Sequence, residues 1–263
     1  MDESDATIES FPLGRRGTVD YMRTAGRRSV VHGLVELDVT EARRRIRDHE
    51  DRTGTRRSFT AFLVLCLARA IDDHPNVQTY RDWRGRLVRF EDVDVNVLIE
   101  REIDGERIVV PHVLRAANRR SLESIHEEIR AAQTDPNAGR RSALSAAGLR
   151  LPGPVRRLFW RLPRTFPRRW KRVTGTVAVT SIGMFGAGGG WAVAPTNYAL
   201  QLTVGGIERK PRVVDGEVVP RELLDLTVTV DHDVVDGAPA ARFVRRLTEL
   251  VEGADGLETD LET

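Results

Sequence analysis

The chain has 263 residues, 30% of them charged and 40% hydrophobic, enough for one large domain or two small ones around a sizeable core. Its formal net charge of +2 points to no global electrostatic partner, and Arg outnumbers Lys so far that Lys171 and Lys210 are the only lysines. No apolar run reaches bilayer-spanning length, and Cys66 stands alone, which excludes an intramolecular disulfide and fits a reducing cytoplasm.

Residues 1–28 read as an N-terminal arm. The acidic start "MDESDATIES" has neither a basic nor an apolar region of a secretory signal, and Arg-rich "GRRGTVDYMRTAGRR" follows it. "SVVHGLVELDV", residues 29–39, reads as a strand. A helix comes next, with Asp38 and Glu41 at capping-box spacing, Ala42 and Ile46 on its apolar face, and Gly54 at its end. Residues 58–72 predict a second helix that is apolar nearly all round, Cys66 included as a small buried hydrophobe.

The period then changes to two. "QTYRDWRGRLVRF" and "VDVNVLIEREIDGERIVVPHV" read as strands, with Asp104-Gly105 as a hairpin signal. "SLESIHEEIRAAQ" places Leu122, Ile125 and Ile129 on one helical face. Residues 173–181 and 197–207 are again strands, and Asp215-Gly216 marks another hairpin. The last strand, 224–230, feeds a last helix, 238–251. Helices and hairpins alternate without a βαβ rhythm, which predicts one domain over 29–252, a mixed sheet with helices packed on it, and an acidic tail over 253–263.

The densest chemistry lies in "LDLTVTVDHDVVDGAPAARFVRRLTELVE", residues 224–252. Leu224, Leu226, Val228 and Val230 alternate with polar residues, so one face of the strand is buried. His232 follows the strand almost directly, and Asp236 precedes Gly237 and the helix. An imidazole on a rigid strand end suits a general base, because its ordinary pKa is close to neutral. The plainer readings are a hydrogen-bonded structural histidine and an Asp236 that only caps the helix.

"DHDVVDGAPAARFVRRLTELVE" resembles the His-x-x-x-Asp-Gly signature of the acyltransferase components of 2-oxoacid dehydrogenase complexes, shared with chloramphenicol acetyltransferases. "GTVAVTSIGMFG", residues 175–186, resembles that family's strand ending in Ser or Thr before a Gly-rich turn. "RIVVPHVLRAANRRSLESIHEEI" and "VVHGLVELDVTEARRRI" resemble its segment before the central helix and its first strand and helix. The resemblance covers residues 20–252 and is weakest over 135–172. One departure is Asp233, where the complex-type enzymes usually carry Arg, as in a stand-alone branch of the family.

The resemblance implies an α/β, two-layer α+β fold of the chloramphenicol acetyltransferase type. It also implies coenzyme A-dependent transfer of an acyl group from a thioester to a thiol or other nucleophile, without a metal. His232 would be the base, Thr180 the donor to the oxyanion, and Asp236 the residue ordering the loop, with Arg27 or Arg28 as its partner. Ser181 is the alternative to Thr180 if the register slips by one; Gly183, Asp233 and Gly237 belong to the two motifs. The family's site lies between subunits, so a homotrimer or a multiple of trimers is implied, His232 coming from one chain and Thr180 from its neighbour. Neither Lys171 nor Lys210 sits in a lipoyl hairpin, so a lipoyl acceptor would come from a separate protein. A different reading is a catalytically silent trimeric scaffold of such a complex.

"GLRLPGPVRRLFWRLPRTFPRRWKRV", residues 148–173, combines nine basic residues with Phe159, Trp160, Phe166 and Trp170. It reads as a solvated excursion whose aromatics pack on the domain, as a phosphate lid for coenzyme A, or as a patch for an anionic membrane surface serving a membrane-surface acyltransferase. No nucleic-acid-binding motif is present. "GAGGGWA", residues 186–192, lacks the Gly-Lys-Ser/Thr of a phosphate loop and reads as a turn beside the site, with Trp191 lining an acyl pocket.

Overall fold

The computed structural model describes residues 7, 9–103, 106–134, 148–182 and 188–257. Within the segment expected as an arm, Leu13–Ala25 forms a helix, α1. β1 (Val30–Asp38) and α2 (Thr40–Thr53) follow as predicted, but the capping box does not form. Val39 precedes the helix; it is fully buried and its amide donates to the Glu222 carbonyl at 2.9 Å. Asp38 is therefore one residue too early. It accepts from the Thr40 amide at 3.0 Å, and Glu41 turns to Arg44 and Arg45. Gly54 closes α2 at φ 71°, the left-handed cap that glycine favours.

α3 (Phe59–Asp73) is capped by the Ser58 hydroxyl, which accepts from the Ala61 amide at 3.2 Å. The strands expected over 78–90 shrink to β2 (Tyr80–Arg81) and β3 (Leu87–Val88). The cause is Asp82: its carboxylate accepts from the amides of Arg84 and Arg86, both at 2.9 Å, and curls the chain between them. β4 (Val95–Ile103) and β5 (Glu106–Leu114) pair antiparallel, and the expected turn pair Asp104-Gly105 lies outside the described residues. α4 (Leu122–Thr134) buries the predicted Leu122, Ile125 and Ile129.

The basic stretch folds as α5 (Gly153–Trp160), α6 (Leu162–Thr165) and α7 (Pro167–Thr174), each with a proline in its first turn. The strand expected from residue 173 thus begins later, as β6 (Val177–Ser181). Gly175 makes the break: its φ is 87°, and a Cβ there would stand 2.6 Å from the Asp94 carbonyl oxygen. β7 (Leu200–Val214) and β8 (Glu217–Asp231) form a long hairpin through Asp215 and Gly216, both at positive φ. α8 (Gly237–Glu252) closes the fold.

The six-stranded sheet runs β1-β8-β7-β6-β4-β5, with β6 parallel to β4 and β7 and the remaining pairs antiparallel. α2, α3, α4 and α8 pack with the sheet's apolar face around one core, from Leu37 and Phe62 through Val179, Leu202 and Leu226 to Phe243. Each such side chain contributes about 1.5–3 kcal/mol on burial. The opposite face is polar on the central strands β6, β7 and β8. There Thr180, Thr203 and Thr227 lie side by side across β6, β7 and β8, and Gln201 and Thr229 form the next row.

Candidate active site

His232 takes its place from the end of β8. Its amide donates to the Ser29 carbonyl at 2.7 Å, just beyond the last pair of the ladder, Val30 with Asp231. Asp231 is nearly buried and forms an ion pair with Arg28, which also donates to the Asn197 carbonyl at 2.9 Å. The other Asp231 oxygen accepts from the Asp233 amide at 3.2 Å. The turn carrying His232 is therefore tied on both sides. The imidazole itself is exposed and has no hydrogen-bond partner among the described residues.

Asp236 stands apart from the Arg28–Asp231 pair. It is exposed, precedes α8 without a side-chain cap bond, and Arg28 is engaged by Asp231 instead. The reason is positional: Asp231 still belongs to the strand, on the face that Arg28 reaches after α1. Asp231 was missed in the sequence, although a carboxylate ending an alternating strand signals the need for a cation. Gly237 opens α8, and Asp233 lies 3.6 Å from Arg81.

Beside the turn is a cavity of about 310 Å³ lined by Arg28, Tyr80, Trp83, Pro163, Asp231 and Asp233, among others. Burial pushes the Tyr80 hydroxyl up to about 12, so it stays protonated and donates to the Thr176 carbonyl at 2.6 Å. Pro163 comes from the basic stretch, whose Trp170 is fully buried against Tyr198, 5.3 Å between ring centroids. Of the stretch's aromatics, Trp160 and Trp170 pack on the domain, while Phe159 and Phe166 are exposed.

Thr180 is half-buried on the polar face beside Thr203. Ser181 is paired with Val204 on the opposite, helix-covered face, because successive strand residues alternate. Within one chain Thr180 and His232 are far apart. Thr180 lies two strands from Thr227, and His232 five residues beyond Thr227. At about 4.8 Å per strand and 3.3 Å per residue, roughly 19 Å separates them.

Gly183 lies outside the described residues. The chain from Gly188 to Gly190 crosses the polar face instead. The Gly190 amide donates to the buried Asp225 carboxylate, and Cβ atoms on Gly205 or Gly206 would stand 2.2 and 2.0 Å from the Gly190 and Gly188 carbonyl oxygens. Those two glycines also sit at the register shift of β7. A Gly-Gly pair inside a strand is the signal that was available for this crossing. Trp191 donates from its indole to the Val35 carbonyl at 3.1 Å, and Lys210 lies over its ring.

A second cavity, about 290 Å³, opens on the helical side at the start of α3. Arg43, Arg47, Arg56, Arg57 and Arg130 line it with Ser58 and His126, and no carboxylate is among the lining residues. Burial lowers the His126 pKa, reinforced by Arg130, so the neutral ring accepts from the Ser58 amide at 3.1 Å.

A family model described as 2-oxoacid dehydrogenases acyltransferase (catalytic domain) matches residues 11–148 and 172–258. The chain is 29% identical over 248 residues to the lipoamide acyltransferase component of the branched-chain alpha-keto acid dehydrogenase complex of Pseudomonas putida, covering 90% of this chain and 50% of that one. It is 24% identical over 228 residues to the component of the same name from Bacillus subtilis (strain 168), covering 84% and 46%. It thus spans about half the length of the curated relatives it matches. Its fold is that of a probable dihydrolipoamide acetyltransferase from Listeria monocytogenes (TM-score 0.71, 18% identity, 98% and 100% covered) and of the Azotobacter vinelandii dihydrolipoamide acetyltransferase (TM-score 0.71, 20% identity, 97% and 96% covered). The chain belongs to the 2-oxoacid dehydrogenase acyltransferase catalytic-domain family.

Proposed function

We propose that this chain is a coenzyme A-dependent acyltransferase in which His232 is the general base. The observation that carries the reading is an exposed imidazole, without a hydrogen-bond partner among the described residues, on a turn locked by the Arg28–Asp231 pair in an acyltransferase-family fold. His232 takes the proton from an acceptor thiol, and the sulfur attacks the thioester carbonyl. The tetrahedral oxyanion accepts a hydrogen bond from the Thr180 hydroxyl. Its collapse breaks the bond to the coenzyme A sulfur, and the imidazolium returns its proton to that thiolate.

The roughly 19 Å between Thr180 and His232 in one chain, from strand geometry, supports a site shared between chains, hence a trimer or a multiple of it. The arginine-lined cavity supports a donor that carries phosphates. A lipoyl group on a separate protein is the proposed natural acceptor, and the cytoplasm the proposed compartment.

The test is thiol release from acyl-CoA donors in the presence of dihydrolipoamide. His232→Ala should lower the rate at least ~10²-fold with the fold and the assembly mass unchanged. Undiminished turnover in that variant removes His232 from the chemistry. A wild-type trimer that transfers no acyl group from any donor would favour the silent scaffold.

A further inference from the structure

We propose that α5 and its flanking arginines form a docking face for an anionic lipid surface. The family model accounts for the chain on both sides of residues 149–171 and leaves that segment unmatched, so what it builds is not required by the common fold. The segment has two opposite faces. Inward, Arg156 donates to the buried Asp20 at 2.7 Å, and Trp160 stands edge-on to Tyr21. Outward, Val155, Leu158 and Phe159 share one helical face, 51%, 63% and 36% exposed, and Leu151 just before the helix is 48% exposed.

On the inner side Trp160 also stands edge-on to the buried Trp170. Charge selects the occupant. Arg150 and Arg161 are exposed at the two ends of the apolar stripe, Arg157 borders it, and residues 148–173 contain no carboxylate. Among the described residues, the acid paired with the arginines of α5 is Asp20, which is buried and meets Arg156 at 2.7 Å and Arg157 at 3.8 Å. An apolar stripe rimmed by cations matches the boundary of an anionic bilayer, where acyl chains take the stripe and headgroup phosphates the guanidiniums. Pro163, a few residues on, lines the cavity beside Asp231, so the docked surface would lie near the His232 end of the molecule.

The experiment is co-sedimentation of the full chain with phosphatidylcholine vesicles and with phosphatidylcholine–phosphatidylglycerol vesicles. The wild type should pellet with the mixed vesicles and not with phosphatidylcholine alone. Leu158→Glu should weaken that partition at least ~10-fold, and Leu158→Met should preserve it, since the buried apolar area is kept. Acyl transfer in solution should be unchanged in both variants, so vesicle binding and the acyltransferase reading stand or fall separately. Three results overturn the proposal: no pelleting with the mixed vesicles, undiminished binding by Leu158→Glu, or a changed assembly mass in Leu158→Glu, which would make the stripe a contact between subunits.

Discussion

Arg28→Ala tests whether the ion pair behind His232 organises the site. The two side chains are only 4% and 8% exposed, and the arginine also satisfies the Asn197 carbonyl. Truncation leaves the Asp231 carboxylate with the Asp233 amide and no cation. Removing one partner of a buried pair costs about 3–5 kcal/mol; the adjoining cavity admits water, so the lower end, ~3 kcal/mol, is expected. For a domain of this size that is a fall in Tm of about 6–12 °C. Differential scanning calorimetry reads the fall, and thiol release reads a loss of transfer rate at temperatures where the variant is still folded. The double variant Arg28→Met/Asp231→Leu should be more stable than Arg28→Ala, because no buried charge is stranded. A Tm within ~2 °C of wild type for Arg28→Ala, or a double variant destabilised by the sum of the two single changes, would refute the reasoning.

Thr180→Ala should reduce kcat on the order of 10²-fold with little change in KM, and Thr180→Ser should keep much of the rate; Ser181, on the other sheet face, serves as the control. If Ser181→Ala lost the rate and Thr180→Ala did not, the oxyanion role would pass to Ser181. Arg56→Gln with Arg130→Gln should raise KM for acyl-CoA about 10-fold and leave the phosphate-free acyl-pantetheine unaffected; equal effects on both donors would detach the arginine cavity from donor binding. Glu41 is held down to about 2 from its ordinary 4.5, first by its hydrogen bond from Arg44 and then by that from Arg45. A depressed carboxylate stabilises the fold above its unfolded value, and that contribution is lost as pH falls from 4.5 toward 2. Glu41→Gln should flatten Tm against pH in that window; superimposable acid limbs for the two proteins would contradict it.

Period and punctuation in the chain determined much of this architecture by themselves. The alternation over 224–230 marks the apolar face of a strand that meets the core, although Asp225, Thr227 and Thr229 on its other face are buried as well, and Asp215-Gly216 supplies the positive φ that a tight hairpin needs. Those local constraints, with the His-x-x-x-Asp-Gly motif, were enough to place His232 on a strand end and Thr180 at the close of another. They did not reveal which distant group would meet which. Arg28 reaches Asp231 because β1 and β8 are neighbours in the sheet; nothing in the residues around Arg28 marks that pairing. Asp236 carried the motif, but its position beyond the strand leaves it exposed, and Arg28 pairs with Asp231. The crossing of Gly188–Gly190 over Gly205–Gly206 likewise depends on two backbones meeting. Only the tertiary structure decided the separation of Thr180 from His232, because it follows from strand order and register, and both are set by long-range pairing that local sequence does not encode.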